Sequence, residues 1–435
     1  MPLLILLFAI ALQIFFTAKK LSPFYSLLIV AIITGLLLGM STDAVLKSFE
    51  TGVGNTLGGL ALIICLGAIL GKVLEVSGAA EKIASTLIRS FGEKNIQWAV
   101  MITGLLIGIP LYYNAGFVIL VPLIFTLVRK TKLPLLYIAI PTAASLSTTH
   151  CFLPPHPGPV YLINTLNADM GKVLLYGLLM AIPAVIIAGP LLGRWLRNIK
   201  VDVSGSLFAD EKPPEKKLPA ALPSFIIALL PVFLITISVI ASYFLPDGLA
   251  KTVLLFIGHA TVALLISVLL AIYYFGIRSG VTMPAAMKWT SDAISEIALI
   301  LLIITAGGVF SQVLRDSGTG SYISSFSSKL NMPPLLFAWI VTAMLRVSIG
   351  SATVAGITAA GVVAPLITTG VSPELMVLSV GAGSVFGSHI NDSGFWMFKE
   401  FFKLSLKQTF LSWSLMETTI SILGLGGVLL LDIFI

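Results

Sequence analysis

TTHCFLPPHPGPVY, residues 148–161, places two histidines and four prolines at the centre of a segment otherwise apolar enough to cross a membrane. Proline lacks a backbone donor and its ring clashes with the carbonyl one turn back, so Pro154, Pro155, Pro157 and Pro159 do not fit a continuous helix. Irregular backbone at membrane depth is tolerated only where protein buries it or where it lines a water-filled cavity. The segment at residues 134–166 therefore reads as a broken helix, unwound over about residues 150–158. Its freed carbonyls and helix ends face a common site, and helix N-termini are ready anion sites.

The membrane premise comes from the rest of the chain. Only 10% of its 435 residues are charged and 57% are apolar, with a mean hydropathy of +1.04; soluble domains carry about a quarter charged residues. Apolar runs long enough to span hydrocarbon as helix recur, for example at residues 24–40, 173–192 and 253–274. The chain is thus expected to be an all-α polytopic membrane protein. No basic stretch precedes the first apolar run, and Lys19 and Lys20 follow it, so residues 3–17 read as a retained helix rather than a signal peptide. The basic residues gather at helix ends, where they set orientation, so the basic balance does not indicate nucleic acid. Cys65 and Cys151 lie in apolar segments without metal-ligand spacing and read as buried thiols.

One polar stretch, KVDVSGSLFADEKPPEKKLP at residues 200–219, is rich in proline and charge and reads as an exposed linker. On either side the sequence repeats weakly. KVLEVSG at residues 72–78 matches QVLRDSG at residues 312–318, and SLSTTH at residues 145–150 matches SVFGSH at residues 384–389. Arg194, Arg197, Lys200, Lys212, Lys216 and Lys217 place the linker in the cytoplasm by the positive-inside rule. Most of the 26 basic residues then fall on the cytoplasmic side, with both termini outside. This scheme expects two inverted-topology repeats, residues 1–198 and 223–435, joined by a cytoplasmic linker at 199–222.

The same scheme puts both ends of residues 96–130 on one side. Pro110 and the polar Asn114-Ala115-Gly116 interrupt that segment, leaving two arms of about 14 residues, too short to span. It reads as a re-entrant helical hairpin with its tip at Asn114 and Gly116. The counterpart is residues 334–370, with a tip near Ser351 and Thr353. The second broken helix, residues 374–402, unwinds at GSHINDSGFW, residues 387–396, where His389, Asn391, Asp392 and Ser393 cluster. Two tips and two breaks would meet at mid-membrane, as in carriers with discontinuous-helix sites.

FLPPHPGP, SHINDSGFW and the YYNAG tip resemble the gluconate:proton symporter family of sugar-acid permeases, within the ion-transporter superfamily, and the resemblance runs over essentially the whole chain. It implies proton-coupled uptake of gluconate or a related sugar acid across the bacterial inner membrane by a multi-pass homodimer that needs no cofactor beyond the coupling proton. Some relatives take D-serine, so symport of D-serine or another small hydroxy acid is the alternative. A cation/proton antiporter of related architecture is the competing class. An intramembrane enzyme is a third, against which stands the lack of a nucleophile–base pair or metal set in the breaks.

Candidate substrate contacts are Asn114, Gly116, Thr149, His150, His156, Ser351, Thr353, His389, Asn391 and Ser393. His150 and His389 occupy matching repeat positions, either satisfying a loose carbonyl or serving substrate and proton. Asp392 is an intramembrane carboxylate and is expected to carry the proton, with His156 the runner-up; its bland reading is a helix cap. Arg346 pairs either with a substrate carboxylate or with an acid of the scaffold. Glu417 faces the bundle or snorkels. Asp292 and Glu296 read as structural acids near a helix start, and His259 as a lone histidine on an apolar helix.

Overall fold

The computed structural model describes residues 2–199, 201, 218–318 and 332–435, among which every regular element is helical. The first half runs α1 (Pro2–Ala18), α2 (Pro23–Leu37), α3 (Thr42–Val76) and α4 (Ala79–Phe91). A pair follows, α5 (Ile96–Gly108) and α6 (Tyr113–Thr131), then the split pair α7 (Leu135–Phe152) and α8 (Pro157–Leu166), and then α9 (Met170–Asn198). The second half has α10 (Ala221–Phe244), α11 (Leu249–Ile257), α12 (Ala260–Ser279) and α13 (Met283–Asp316). The pair α14 (Pro334–Ile349) and α15 (Ala352–Val363), the split pair α16 (Pro373–Gly383) and α17 (Ser393–Phe402), and α18 (Leu406–Leu431) complete it. The linker expectation, and with it Lys200, Lys212, Lys216 and Lys217, falls almost entirely outside the described residues.

Six helices, α6, α9, α10, α12, α13 and α18, are long and apolar enough to cross a membrane, and α3 makes a seventh if its two parts, bent by 40°, form one span. Their outer faces fit a lipid solvent. Leu179 of α9, Leu222, Phe233 and Phe244 of α10 and Leu269 of α12 are each more than 55% exposed, as suits side chains that face lipid rather than water. The chain is a multi-pass membrane protein.

The split helices form the interior instead. α7 is buried on all sides, with only Tyr137 and His150 partly accessible, and α16 is buried from Leu375 to Gly383. A helix apolar all round belongs inside a bundle. Small residues let α5 lie against α7: a Cβ at Gly104 would meet Ser145 at 2.7 Å and one at Gly108 would meet Thr149 Oγ1 at 2.4 Å. Ser145 Oγ then donates across the seam to the Met101 carbonyl at 2.8 Å, a polar contact of the kind that holds helices together where lipid removes the hydrophobic drive.

Both breaks are shorter than or displaced from their expected positions. In the first, α7 continues through His150 to Phe152 and α8 begins at Pro157, so only residues 153–156 are unwound. Pro157 and Pro159 do not break a helix; they start one, since first-turn N–H groups have no intrahelical partner to lose. In the second, α16 already ends at Gly383 and α17 begins at Ser393, which frees residues 384–392. The matched stretches SLSTTH and SVFGSH are therefore not the same structural piece. His150 is helical, and His389 lies in the middle of a break. KVLEVSG and QVLRDSG do correspond. They end α3 and α13 alike, each with a serine in the right-handed region at the cap, followed by Gly78 and Gly318 at φ +78° and +70°.

Two further expectations shift. The apolar run at residues 253–274 is not one helix. It is interrupted at Gly258, where a Cβ would lie 2.0 Å from Ser238 Cβ, and His259 sits exposed at the start of α12 rather than along a helix. The arms of the first pair have 13 and 19 residues, so the second is longer than the 14 expected.

Candidate functional site

The two inter-helix turns, the second break, and His150 and Pro157 on the helices that flank the first break border one cavity of about 400 Å³, within the range of roughly 300–1,000 Å³ usual for small-molecule sites. From the α5–α6 turn come Tyr112, Tyr113 and Asn114, and from the α14–α15 turn Ser351 and Thr353. Ser147 and His150 of α7, Asp392 and Ser393 at the second break, Arg346 of α14, and Trp413 and Glu417 of α18 complete the polar wall.

Arg346 lies in the last turn of α14 and is 2% exposed. Its Nη2 donates to Asp392 Oδ2 at 2.5 Å, while its Nε and Nη1 are buried with no hydrogen-bond partner. An unpaired buried donor is costly, and here two of them belong to a cation bordering a cavity. Asp392 has two structural roles. It caps α17 by accepting from the Gly394 N–H at 2.9 Å, and it is the counter-ion of Arg346. Ser388 Oγ donates to the same Oδ2, and Trp413 Nε1 donates to Ser388 Oγ at 2.7 Å.

Of the sequence-nominated residues, Asn114, His150, Ser351, Thr353, Asp392 and Ser393 border the cavity. The others are placed elsewhere. Gly116 packs against Leu146, whose Cδ2 a Cβ would meet at 2.9 Å. Thr149 Oγ1 bonds back to the Leu146 carbonyl at 2.9 Å. His156 is buried, with Nε2 2.7 Å from the Gly108 carbonyl. A carbonyl only accepts, so Nε2 carries the proton, and the ring occupies a carbonyl that the end of α5 leaves free. Its centroid lies 5.2 Å from that of His150. His389 Nδ1 turns to the Gly387 carbonyl at 2.9 Å. Asn391 Nδ2 donates to the Val347 carbonyl at 2.7 Å and ties the second break to α14.

The residues not singled out from sequence are Ser147, Tyr112, Tyr113 and Trp413, whose neighbours come from distant parts of the chain. Ser147 Oγ donates to Glu417 Oε1 at 2.6 Å. Tyr112 OH reaches the Ile64 carbonyl at 3.0 Å, and the Tyr113 ring stands edge-on to Trp413 at 5.7 Å. Glu296 is not merely an acid near a helix start: it lies well inside α13, pairs with Lys72 Nζ at 2.7 Å and borders the cavity. α13 has 34 residues, about 51 Å at 1.5 Å per residue, longer than a hydrocarbon core of about 30 Å. Among the described residues, no group of three or more His, Cys, Asp or Glu side chains is placed to hold a metal ion.

A family profile for GntP family permeases matches residues 1–434. The chain is 48% identical over 438 residues to a high-affinity gluconate transporter of Escherichia coli (strain K12), covering 100% of both sequences. It is 46% identical over 437 residues to the Gnt-II system L-idonate transporter of the same organism, covering 99% of both. A gluconate permease of Bacillus subtilis (strain 168) is 43% identical over 449 residues, with 100% of both covered. The fold resembles the crystal structure of the YdaH transporter of Alcanivorax borkumensis, described as having an unusual topology, with a TM-score of 0.68 at 16% identity over 94% of this chain and 97% of that one.

Proposed function

The chain belongs to the GntP family of permeases, and from that premise we propose that it carries gluconate or a closely related sugar acid, together with protons, into a bacterial cell across the inner membrane. The observation that carries this reading is Arg346, a buried cation with two donors unpaired at the wall of a cavity that Asn114 and the hydroxyls of Ser351, Thr353 and Ser393 also border. A substrate carboxylate supplies acceptors for those donors, and charge-assisted bonds of this kind are the strong ones. The polyol chain would then lie along Asn114, Ser351, Thr353 and Ser393. Relatives named for gluconate and for L-idonate match at 48% and 46% identity, so the proposal is for the aldonate class and not for one epimer.

Proton coupling follows from electrical work. Moving one negative charge into a cell that is negative inside costs about 2.3 kcal/mol per 100 mV, and a co-transported proton offsets it. The like ends of α3 and α13, and the like order of elements in each half, support reading the halves as inverted repeats with re-entrant pairs, and we propose in addition that the carrier works as a homodimer. The test is counterflow of labelled gluconate in proteoliposomes, beside a thermal-shift panel of sugar acids, hydroxy acids and D-serine; ligand binding to the folded state alone raises stability by mass action. Counterflow of gluconate with stabilisation by aldonates is expected. Stabilisation by D-serine alone, or cation exchange without counterflow, rejects the reading.

A further inference from the structure

Glu417 lies in the first turn of the Leu415–Leu431 stretch of α18. It is 2% exposed and borders the same cavity as Arg346. Its hydrogen bond comes from a neutral donor, Ser147 Oγ of α7, 270 positions away in the chain, to Oε1. Among the described residues no lysine, arginine or histidine makes an ion pair with it, whereas Asp392 has the guanidinium of Arg346. The titratable groups close enough to act on it electrostatically are Tyr113 of α6, Cys151 of α7, Arg346 of α14 and Asp392 at the start of α17. His150 of α7 shares the cavity wall. Arg346 is the one cation in that set, and it is already matched to Asp392.

We propose that Glu417, held by Ser147, is the group that loads and releases the transported proton. The inference rests on the sugar-acid reading above and adds the residue to it. Charge counting over Arg346, Asp392, Glu417 and the substrate carboxylate shows why one proton would follow one substrate. With the site empty and Glu417 ionised, the sum is one negative charge. With substrate bound and Glu417 protonated, it is again one negative charge. Substrate without the proton leaves two negative charges beside each other, and the proton without substrate leaves none to pair with the free donors of Arg346. Like charges in one buried site disfavour joint ionisation, so the carboxylate of the substrate draws a proton onto Glu417. The proton comes from water on the outer side, forms the O–H bond at Oε2, and returns to water on the inner side when the substrate leaves. By linkage the effect is reciprocal, and the protonated site binds the anion more tightly.

Titration calorimetry of gluconate into the purified chain, run at mildly alkaline pH in buffers of different ionisation enthalpy, reads the protons taken up per gluconate bound. Wild type should take up about one. Glu417→Gln should bind gluconate with uptake near zero, and in vesicles it should exchange gluconate at equilibrium without accumulating it. Should the glutamine variant fail to fold or bind, Glu417→Asp decides: it keeps the carboxyl, so uptake should persist with its pH midpoint displaced from wild type, and an unmoved midpoint overturns the assignment. Wild-type proton uptake in Glu417→Gln overturns Glu417 and leaves the sugar-acid reading standing. Gluconate binding by wild type without proton uptake overturns Glu417 and the coupling together. No heat with any aldonate rejects the sugar-acid reading and this inference with it.

Discussion

Arg346 Nη2 lies 2.5 Å from Asp392 Oδ2, joining the last turn of α14 to the cap of α17 across the cavity wall. The pair does two jobs at once. It neutralises a carboxylate that also caps a helix, and it fixes a guanidinium whose remaining donors border the cavity.

Removing either partner leaves the other charge buried and alone, which in proteins destabilises by about 3–5 kcal/mol. Arg346→Ala and Asp392→Asn should therefore both lower the melting temperature in detergent. Arg346→Lys separates the two jobs. A lysine keeps the positive charge but not the planar set of donors, so it should melt near wild type while gluconate affinity falls at least tenfold. Equal affinity in the lysine variant would remove Arg346 from the substrate contact.

Asn114 is exposed at the start of α6 and borders the cavity. Alanine there should weaken gluconate binding by about 1–2 kcal/mol, the scale of one hydrogen bond lost to a polar ligand. Stability should hardly change, because the side chain is not part of the packed core. Calorimetry with an unchanged dissociation constant would take Asn114 out of the site.

His156 should behave in the opposite way. Its Nε2–H serves the Gly108 carbonyl, so His156→Ala strands a buried acceptor and should cost about 1–3 kcal/mol of stability. Proton uptake per gluconate should stay at the wild-type value. A folded alanine variant that binds gluconate but takes up no proton would make His156 the carrier.

The general plan was legible because prolines and polar clusters inside apolar segments have few physical outcomes. They locate the two breaks, and they locate the two polar turns that border the cavity. Break limits were not legible, because proline at a helix start and proline within a helix look alike in sequence: Pro157 opens α8, whereas Pro154 and Pro155 lie between helices. Asp392 could be picked out as an intramembrane carboxylate, but not as the partner of Arg346, 46 positions earlier. The sharper omission is Ser147. A serine in an apolar helix usually bonds to its own backbone, and nothing local marks this one as the donor to a carboxylate on the last helix.

The second break is held against α14 at Gly350, and this contact yields the last prediction. Gly350 has φ +84°, a conformation that residues with a Cβ rarely adopt. An added Cβ would also stand 2.2 Å from the Asn391 carbonyl oxygen, which backbone on both sides prevents from yielding cheaply. Asn391 in turn donates to the Val347 carbonyl, so turn and break are latched by two contacts a few residues apart. Gly350→Ala should push the break away from α14 and break the Asn391 bond with it. Neighbouring sites that share a structural element are not additive. Gly350→Ala and Asn391→Ala should therefore each lower the melting temperature and weaken gluconate binding, while the double variant loses less than the two single losses together. Strict additivity in both melting and affinity would mean that the latch does not act as a unit, and that the two residues support the site separately.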